Sequence, residues 1–189
     1  MSHEFVANAN FYALLSRYDV DLAETTRAGR CRCGGRLDRA DFPRKPRGGR
    51  GAVDDSYCKR IGLCCAICRA RTLPASVRFL GRRVYLGVVV VLASAMQHGV
   101  SASRGRQLAS SLGVNRRTLE RWKLWWTETF PRTEFWRSAG GRLRGEVRVD
   151  ALPGSLMEQF DANSEQERLF ALLRFIAPIT TRTRIQTGA

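Results

Sequence analysis

The amino-acid sequence predicts a mainly α-helical protein with one small β region in its N-terminal half. Hydrophobic residues recur at helical spacing in the first 25 residues, between residues 81 and 130, and near the C-terminus. Two short cysteine pairs, joined by a stretch rich in Arg, Gly and Pro, are typical of a small metal-bound β module. With 189 residues, 44% of them hydrophobic, the chain is long enough for one ordinary core or two small ones.

The chain is strongly basic, and its charge is concentrated in the middle. It contains 32 Lys and Arg residues against 17 Asp and Glu residues, which gives a formal net charge of +15. Basic residues far outnumber acidic ones between Arg27 and Arg148, whereas the balance after Val149 is near neutral. This excess suits a polyanionic partner, because each neutralised phosphate releases condensed counterions. An acidic protein or a membrane surface is the alternative partner for such a charge.

The sequence has no pattern of secretion or membrane insertion. Residues 1–25 carry four acidic side chains and lack a basic start followed by an apolar run. The longest apolar run, Val84–Met96, has 13 residues, whereas a helix needs about 20 to span a bilayer. We therefore expect a cytoplasmic protein with no membrane partner. Six cysteines in such a protein indicate metal binding before disulfides.

Hydrophobic spacing and loop composition divide the chain into four segments. The three helices of the third segment are expected near 82–97, 103–112 and 115–129, and a last helix near 166–177. Gly140, Gly141 and Gly145 indicate a linker. The predicted segments are an N-terminal helix over 1–25, a zinc ribbon with a basic Pro/Gly loop over 26–80, a helix-turn-helix domain over 81–130, and a linker with a C-terminal helical segment over 131–189.

The run Val84–Ala93 is ambiguous in secondary structure. It is rich enough in β-branched residues to form a strand. Its length, and the Ala-Ser-Ala-Met sequence at its end, favour a buried helix instead.

The two cysteine pairs predict a structural zinc site. They are Cys31-Arg-Cys33-Gly-Gly and Cys65-Ala-Ile-Cys68, separated by 31 intervening residues. Two thiolates a few residues apart on a tight turn form a zinc knuckle, and glycines let backbone amides turn toward the sulfur atoms. Two knuckles close a tetrahedral Zn²⁺ site that has no open position. The predicted ligands are Cys31, Cys33, Cys65 and Cys68.

Spacing does not settle the role of every cysteine. Cys64 competes with Cys65 for the third ligand position, and both assignments stay open at this stage. Cys58 is left over and is expected to be a partly buried thiol. Six free thiols in a packed core are the alternative, but the cysteines lie among Arg and Gly. A catalytic zinc would require His, Asp or Glu ligands, and His3 and His98 are distant in sequence.

The segment Gln107–Trp122 has the spacing of a helix-turn-helix. One face of its first helix is apolar, Gly113 supplies a left-handed turn, and Asn115 is a good N-cap for the second helix. An ordinary helical hairpin with a solvated basic face is the alternative. The predicted shared interior consists of Leu108, Leu112, Val114, Leu119 and Trp122.

This packing places a basic row on the outside of the second helix. In a helix-turn-helix, the N-terminal part of that helix enters the major groove of duplex DNA. There Arg reads guanine, Asn reads adenine, and Glu accepts from cytosine or orients an Arg. Arg104 and Arg106, near the start of the first helix, suit phosphate contacts. The residues expected to read bases are Asn115, Arg116, Arg117, Glu120 and Arg121.

The loop Pro43–Arg50 is a second candidate contact with DNA. Its prolines hold the chain extended and its glycines allow close approach, so that its basic side chains can enter a narrow minor groove. The candidate residues are Arg44, Lys45 and Arg47. A solvated loop whose charge maintains solubility is the alternative.

Three short segments carry a resemblance to a known group of proteins. Cys33-Gly-Gly-Arg-Leu37, Ala40-Asp-Phe-Pro-Arg-Lys-Pro-Arg-Gly-Gly49 and Arg78-Phe-Leu-Gly-Arg-Arg-Val-Tyr85 resemble short bacterial proteins found around insertion sequences. The helix-turn-helix register is similar to that of many transposase N-terminal regions. The resemblance covers roughly residues 10 to 130 and implies a zinc ribbon with the cysteine ligands named above, and DNA recognition by the helix from Asn115. The final knuckle, Cys64–Cys68, is shorter than that group's form, which leaves the third ligand open.

These observations predict a sequence-specific DNA-binding protein of a bacterial mobile element, associated with the nucleoid. It would act as an accessory factor bound to transposon ends, or as a repressor. Double-stranded DNA is the expected partner, together with a transposase or a recombinase. The C-terminal helix would form a homodimer or dock a partner protein, or would cap the protein's own core.

Two other functions compete with this prediction. A transposase or nuclease needs clustered carboxylates that hold two metal ions, and Asp150 is the position to watch among Glu146, Glu158 and Asp161. Only about 60 residues follow Phe130, too few for the usual nuclease-like domain, so we expect no enzyme. The third possibility is a zinc module that binds RNA or bridges proteins.

Overall fold

A computed structural model describes residues 8–46, 54–80, 86–95, 114–143 and 145–184. Within these ranges helical segments predominate, and a small antiparallel sheet lies beside a cluster of four cysteines. The prediction of a mainly helical protein with a small β region is confirmed at this level. None of the described helices is both long and apolar enough to cross a lipid bilayer.

Helix α1 spans Ala9–Ala28. It begins where the side chain of Asn8 accepts a hydrogen bond from the Phe11 amide at 3.1 Å, since such a cap satisfies an amide that has no partner inside the helix. Its buried side chains recur every three or four residues and therefore form one stripe. They are Phe11, Tyr12, Leu15, Asp19 and Ala23.

The main sheet has four antiparallel strands in the order β1-β4-β5-β6. A separate two-stranded ladder, β2-β3, continues the β1-β4 hairpin beyond a bend at residues 40–41 and 61–62. The last strand follows the final helix, in a part of the chain for which the sequence predicted no strand. The strands are β1 Leu37–Arg39, β2 Phe42–Pro43, β3 Lys59–Arg60, β4 Leu63–Cys65, β5 Arg71–Leu73 and β6 Arg182–Arg184.

Helix α2, Gly87–Ala95, is the ambiguous apolar run. Each residue from Gly87 to Ser94 is buried, so this helix is surrounded by protein on all sides. Continuous burial explains why its sequence lacks helical periodicity. The structure forms a helix here, which is the alternative that the length of the apolar run favoured.

The helix predicted over 115–129 changes its geometry along its length. Helix α3, Arg116–Leu124, continues into a π-helical turn over Trp125–Thr129 and a 3₁₀ turn over Phe130–Arg132. Helix α4, Glu134–Ala139, and a 3₁₀ turn at Gly140–Arg142 then occupy the region expected to be a linker. Aromatic packing explains this difference, because the Phe130 ring centroid lies 5.1 Å from that of Trp136.

Two further helices follow α4 in the chain. Helix α5 spans Gly154–Met157, and helix α6 spans Glu165–Ile176 with Ser164 as its N-cap. A 3₁₀ turn at Ala177–Thr180 follows, and the chain then enters β6. The last helix therefore lies within a residue of its predicted bounds.

One apolar core joins segments that are far apart in sequence. It contains residues of α1, α2, α3, α5 and α6, together with the buried stretch around Val77 and Phe79. A second and much smaller cluster inside the sheet consists of Leu37, Leu63 and Cys65. The helices thus share one interior, and the sheet has almost no apolar core of its own.

A buried carboxylate connects α1 to the β region. Asp19 accepts hydrogen bonds from the Val77 amide at 2.7 Å and from Nε of Arg78 at 2.8 Å. It also lies 3.6 Å from Nη1 of Arg60, whose Nη2 donates to the Pro74 carbonyl at 2.6 Å. Because all three charged side chains are almost fully buried, this network fixes the β region against the first helix.

Candidate metal centre and basic helix

Four cysteine sulfur atoms lie at the end of the sheet, all within 4.8 Å of one another. The Sγ atoms of Cys31 and Cys68 are 3.6 Å apart, and those of Cys33 and Cys65 are 3.5 Å apart. A disulfide bond requires about 2.05 Å, so these pairs are not disulfides. This is the only group of metal-ligating side chains of its kind within the described part of the chain.

The first knuckle is a tight turn closed by its own backbone. The Cys31 amide donates to the Gly35 carbonyl at 2.9 Å, and the Gly34 amide donates to the Cys31 carbonyl at 2.8 Å. Gly34 has a φ of +80°, a conformation that glycine adopts without strain. A Cβ on Gly35 would lie 2.6 Å from the sulfur of Cys65, so a side chain there would displace a sulfur atom.

The second knuckle lies between β4 and β5. The Ile67 amide donates to the Cys65 sulfur at 3.4 Å, and the Arg69 amide closes the turn on the Cys65 carbonyl at 3.2 Å. The Ala66 amide also donates to the Arg36 carbonyl at 2.9 Å, which joins this knuckle to the first. The hairpin therefore holds the two cysteine pairs face to face.

The geometry of this cluster fits a tetrahedral metal ion. With Zn–S bonds of about 2.3 Å, tetrahedral sulfur atoms lie about 3.8 Å apart. The sulfur–sulfur distances of 3.6 Å for Cys31 and Cys68 and 3.5 Å for Cys33 and Cys65 are close to that value. Four thiolates leave no coordination position for a substrate, so such a metal would be structural. The four cysteines could hold a metal ion, as predicted.

The thiols of the cluster influence one another's ionisation. Hydrogen bonds from the backbone amides of Cys68 and Ile67 lower the pKa of Cys65 to about 6, although burial raises it. The Ala70 amide lowers the pKa of Cys68, but the other three cysteine side chains raise it to about 12. A divalent cation bound among the four sulfur atoms would favour their thiolate forms.

The remaining two cysteines lie outside the cluster. Cys64 points away from it, and its sulfur lies 3.6 Å from the Arg69 carbonyl. The structure thus groups Cys65, and not Cys64, with the other three cysteines. Cys58 is exposed, which contradicts the expectation of a partly buried thiol, because it ends a short surface turn at Asp55–Cys58.

No family model, curated protein or solved structure matches this chain. The resemblance to proteins found around insertion sequences therefore stays a prediction. The chemistry of the site has to be inferred from its own residues.

Helix α3 exposes one polar face and buries the other. Val114, Thr118 and Leu119 are buried, and Trp122 packs against the main core while partly exposed. The Asn115 side chain accepts a hydrogen bond from the Arg117 amide at 2.9 Å and so caps the helix. The residues predicted to read bases are all exposed: Asn115, Arg116, Arg117, Glu120 and Arg121.

The exposed residues of α3 form two local interactions. Arg116 and Glu120 form a salt bridge with a 2.9 Å distance between Nε and Oε1, the arrangement in which Glu orients an Arg. Arg121 donates to the Thr118 hydroxyl at 3.0 Å. Arg117 has no side-chain partner within the described ranges, so its guanidinium is available to a ligand.

Several predicted contacts fall outside the described residues. These include Arg47 in the basic loop, Arg104 and Arg106, and the first helix of the helix-turn-helix with Leu108 and Leu112. Arg44 is described, and its guanidinium carbon lies 4.8 Å from the centroid of the Phe42 ring. Lys45 is exposed.

The acidic residues considered for catalysis do not form a described metal site. Asp150 and Glu146 are exposed, and they belong to no group of three or more metal-ligating side chains within the described residues.

A pocket beside Arg44 was not anticipated from the sequence. It is lined in part by Phe42 in β2, by Arg44 directly after that strand, and by Arg71 in β5. The basic stretch around Arg71 was a signal in the sequence, but only strand pairing brings it to Arg44.

Proposed function

We propose that this protein is a zinc-containing, sequence-specific DNA-binding protein, in which a zinc ribbon supports a helix-turn-helix. Zinc is the metal that suits the four-cysteine cluster best, because Zn²⁺ prefers tetrahedral sulfur ligands in structural sites. The ribbon consists of the two knuckles and the antiparallel strands that carry them.

The observation that carries the proposal is the exposed basic face of α3. Its opposite face is buried through Val114, Thr118 and Leu119, which leaves the helix N-terminus and the arginines accessible. Helix N-termini and Arg side chains both suit the DNA backbone and base edges. The net charge of +15 supplies the long-range attraction that such a partner requires.

The role in the cell follows from the resemblance stated above. We propose that the protein serves a bacterial mobile element, as an accessory factor at transposon ends or as a repressor. A transposase or recombinase, and a second copy of the chain, are the protein partners that this role implies. A transposase or recombinase gene beside this one would support that context.

The proposal is tested by selecting bound sequences from a pool of random DNA duplexes. We expect one preferred sequence for the unmodified protein. Arg117→Ala should relax the preference at one or two base pairs and weaken binding by about 1 to 3 kcal/mol, as loss of a bidentate base contact does.

Arg137→Ala, on the exposed face of α4, is the matched control because it removes the same charge outside α3. It should leave the selected sequence unchanged. Equal enrichment of all duplexes, or tighter binding to RNA at matched salt, would contradict the proposal.

A further inference from the structure

A pocket of about 260 Å³ opens where the long hairpin bends. We call it the ribbon pocket; its lining includes Phe42, Arg44, Gly62, Arg71 and Thr72. It lies away from the metal centre, which is at the other end of β4. Helix α3 contributes nothing to its lining, so it is a separate feature from the basic helix.

Arg44 is held in place on one side of this pocket. Its amide donates to the Cys58 carbonyl at 2.6 Å, and its guanidinium lies over the face of Phe42. A Cβ on Gly62 would come within 3.4 Å of the Phe42 ring and 2.7 Å of the Ala40 carbonyl oxygen. Glycine therefore lets the ring lie against the strand, where it supports the guanidinium.

Arg71 lines the same pocket and is exposed. Within the described ranges it has no carboxylate partner. In the sheet it lies directly opposite Arg184 of the C-terminal strand, and Arg182 lies opposite Leu73.

Acidic residues do not compensate this charge. No Asp or Glu is among the described residues that line the pocket. The nearest carboxylate in sequence, Asp41, forms a 2.8 Å salt bridge with Arg39 and also accepts from the Gly62 amide at 3.4 Å. The pKa of the neighbouring Arg60 is lowered to about 10, chiefly by burial; the carboxylate of Asp19 raises it, and the charges of Arg78 and Arg44 lower it further.

We propose that the ribbon pocket binds a phosphate group between Arg44 and Arg71. Guanidinium groups bind phosphate oxygens through paired hydrogen bonds, and both Arg44 and Arg71 line the pocket. The source of the phosphate rests on the proposed function: it is a backbone phosphate of the bound nucleic acid, contacted by the ribbon while α3 reads bases. A free phosphorylated molecule has the same chemistry, and the experiment separates the two.

The first arm measures duplex binding as a function of salt. The variant Arg44→Gln/Arg71→Gln is compared with Arg132→Gln/Arg137→Gln, which removes two exposed charges elsewhere. Loss of one phosphate contact should make the negative slope of log K against log salt shallower by about 0.9, and should weaken binding about tenfold near 0.1 M salt. The loss should be equal for all duplex sequences, and the control variant should keep the slope of the unmodified protein.

The second arm titrates inorganic phosphate into the unmodified protein and follows backbone amide signals by NMR. We expect shifts at Gly62 and Thr72 that disappear in the pocket variant and persist in the control. Arg71→Gln alone, which changes an exposed side chain, repeats both arms with little risk to folding.

The outcomes separate this inference from the proposed function. Phosphate shifts with unchanged duplex binding by the pocket variant would support a phosphate site that serves a free ligand. If the unmodified protein shows no phosphate shifts and the pocket variant binds duplex normally, the inference is overturned and the proposed function stays intact. An unmodified protein that binds no duplex but shows the phosphate shifts would overturn the proposed function and keep the pocket.

Discussion

At the scale of single residues, two neighbouring cysteines have different environments. Cys64 lies opposite Asp38 in the sheet, and Cys65 lies opposite Leu37. Successive side chains of a strand point to opposite faces, so only Cys65 reaches the sulfur cluster. The spacing to Cys68 suits either residue, which is why the sequence left this choice open.

Gly35 has an equally specific place, because its hydrogen atoms face the sulfur of Cys65. We expect Gly35→Ala to weaken metal binding by about tenfold or more, since the added methyl group would displace a ligand. Gly141→Ala is the control, because nothing lies within 4 Å of a Cβ at that position. Competition with a chromogenic chelator would measure both affinities. Equal affinities would show that the knuckle yields to the methyl group without cost.

At the scale of elements, the sheet depends on more than apolar packing. Its own cluster contains only Leu37, Leu63 and Cys65. Such small β modules derive much of their folding free energy from metal binding. The helices have a separate and larger core, so removal of the metal should affect the two regions differently.

We therefore expect Cys33→Ser, or a strong chelator, to abolish amide protection in β1 and β4 while α2 stays protected. Hydrogen exchange measured by NMR would report each element separately. Cys58→Ser is the matched control, since Cys58 is an exposed thiol outside the cluster. Unchanged protection of β4 after chelation would contradict a structural metal.

Helix α3 shows how far periodicity alone predicts an element. The buried positions Val114 and Leu119 and the exposed arginines follow from the amphipathic pattern. The change to a π turn at Trp125 was not predicted, because it arises from the packing of Trp126 and Phe130, whose ring centroids are 5.0 Å apart. Contacts between rings of this kind are not visible in a one-dimensional pattern.

At the scale of the whole molecule, parts of the chain that are far apart in sequence pack together. Helices from the beginning, middle and end of the chain share one core. Asp19 then connects that core to the small β region through the buried Arg60 and Arg78. The basic surfaces are thereby held on one scaffold.

Asp19→Asn should destabilise the protein by about 3 to 5 kcal/mol, because it leaves two buried guanidinium groups without their carboxylate. Chemical denaturation would measure the free energy of unfolding. Asp21→Asn is the control, since Asp21 is an exposed carboxylate on the same helix. A loss below about 1 kcal/mol for Asp19→Asn would show that solvent reaches and screens the two arginines.

The amino-acid sequence alone was enough to predict the helical class, the bounds of the last helix to within a residue, and which cysteines could ligate a metal. Local spacing carries that information, because knuckles and amphipathic helices are built from residues near one another in the chain. The tertiary structure decided between Cys64 and Cys65, added the C-terminal strand to the sheet, and brought Arg44 to Arg71. Those features depend on pairings between distant residues, such as Asp19 with Arg78, which no local pattern encodes.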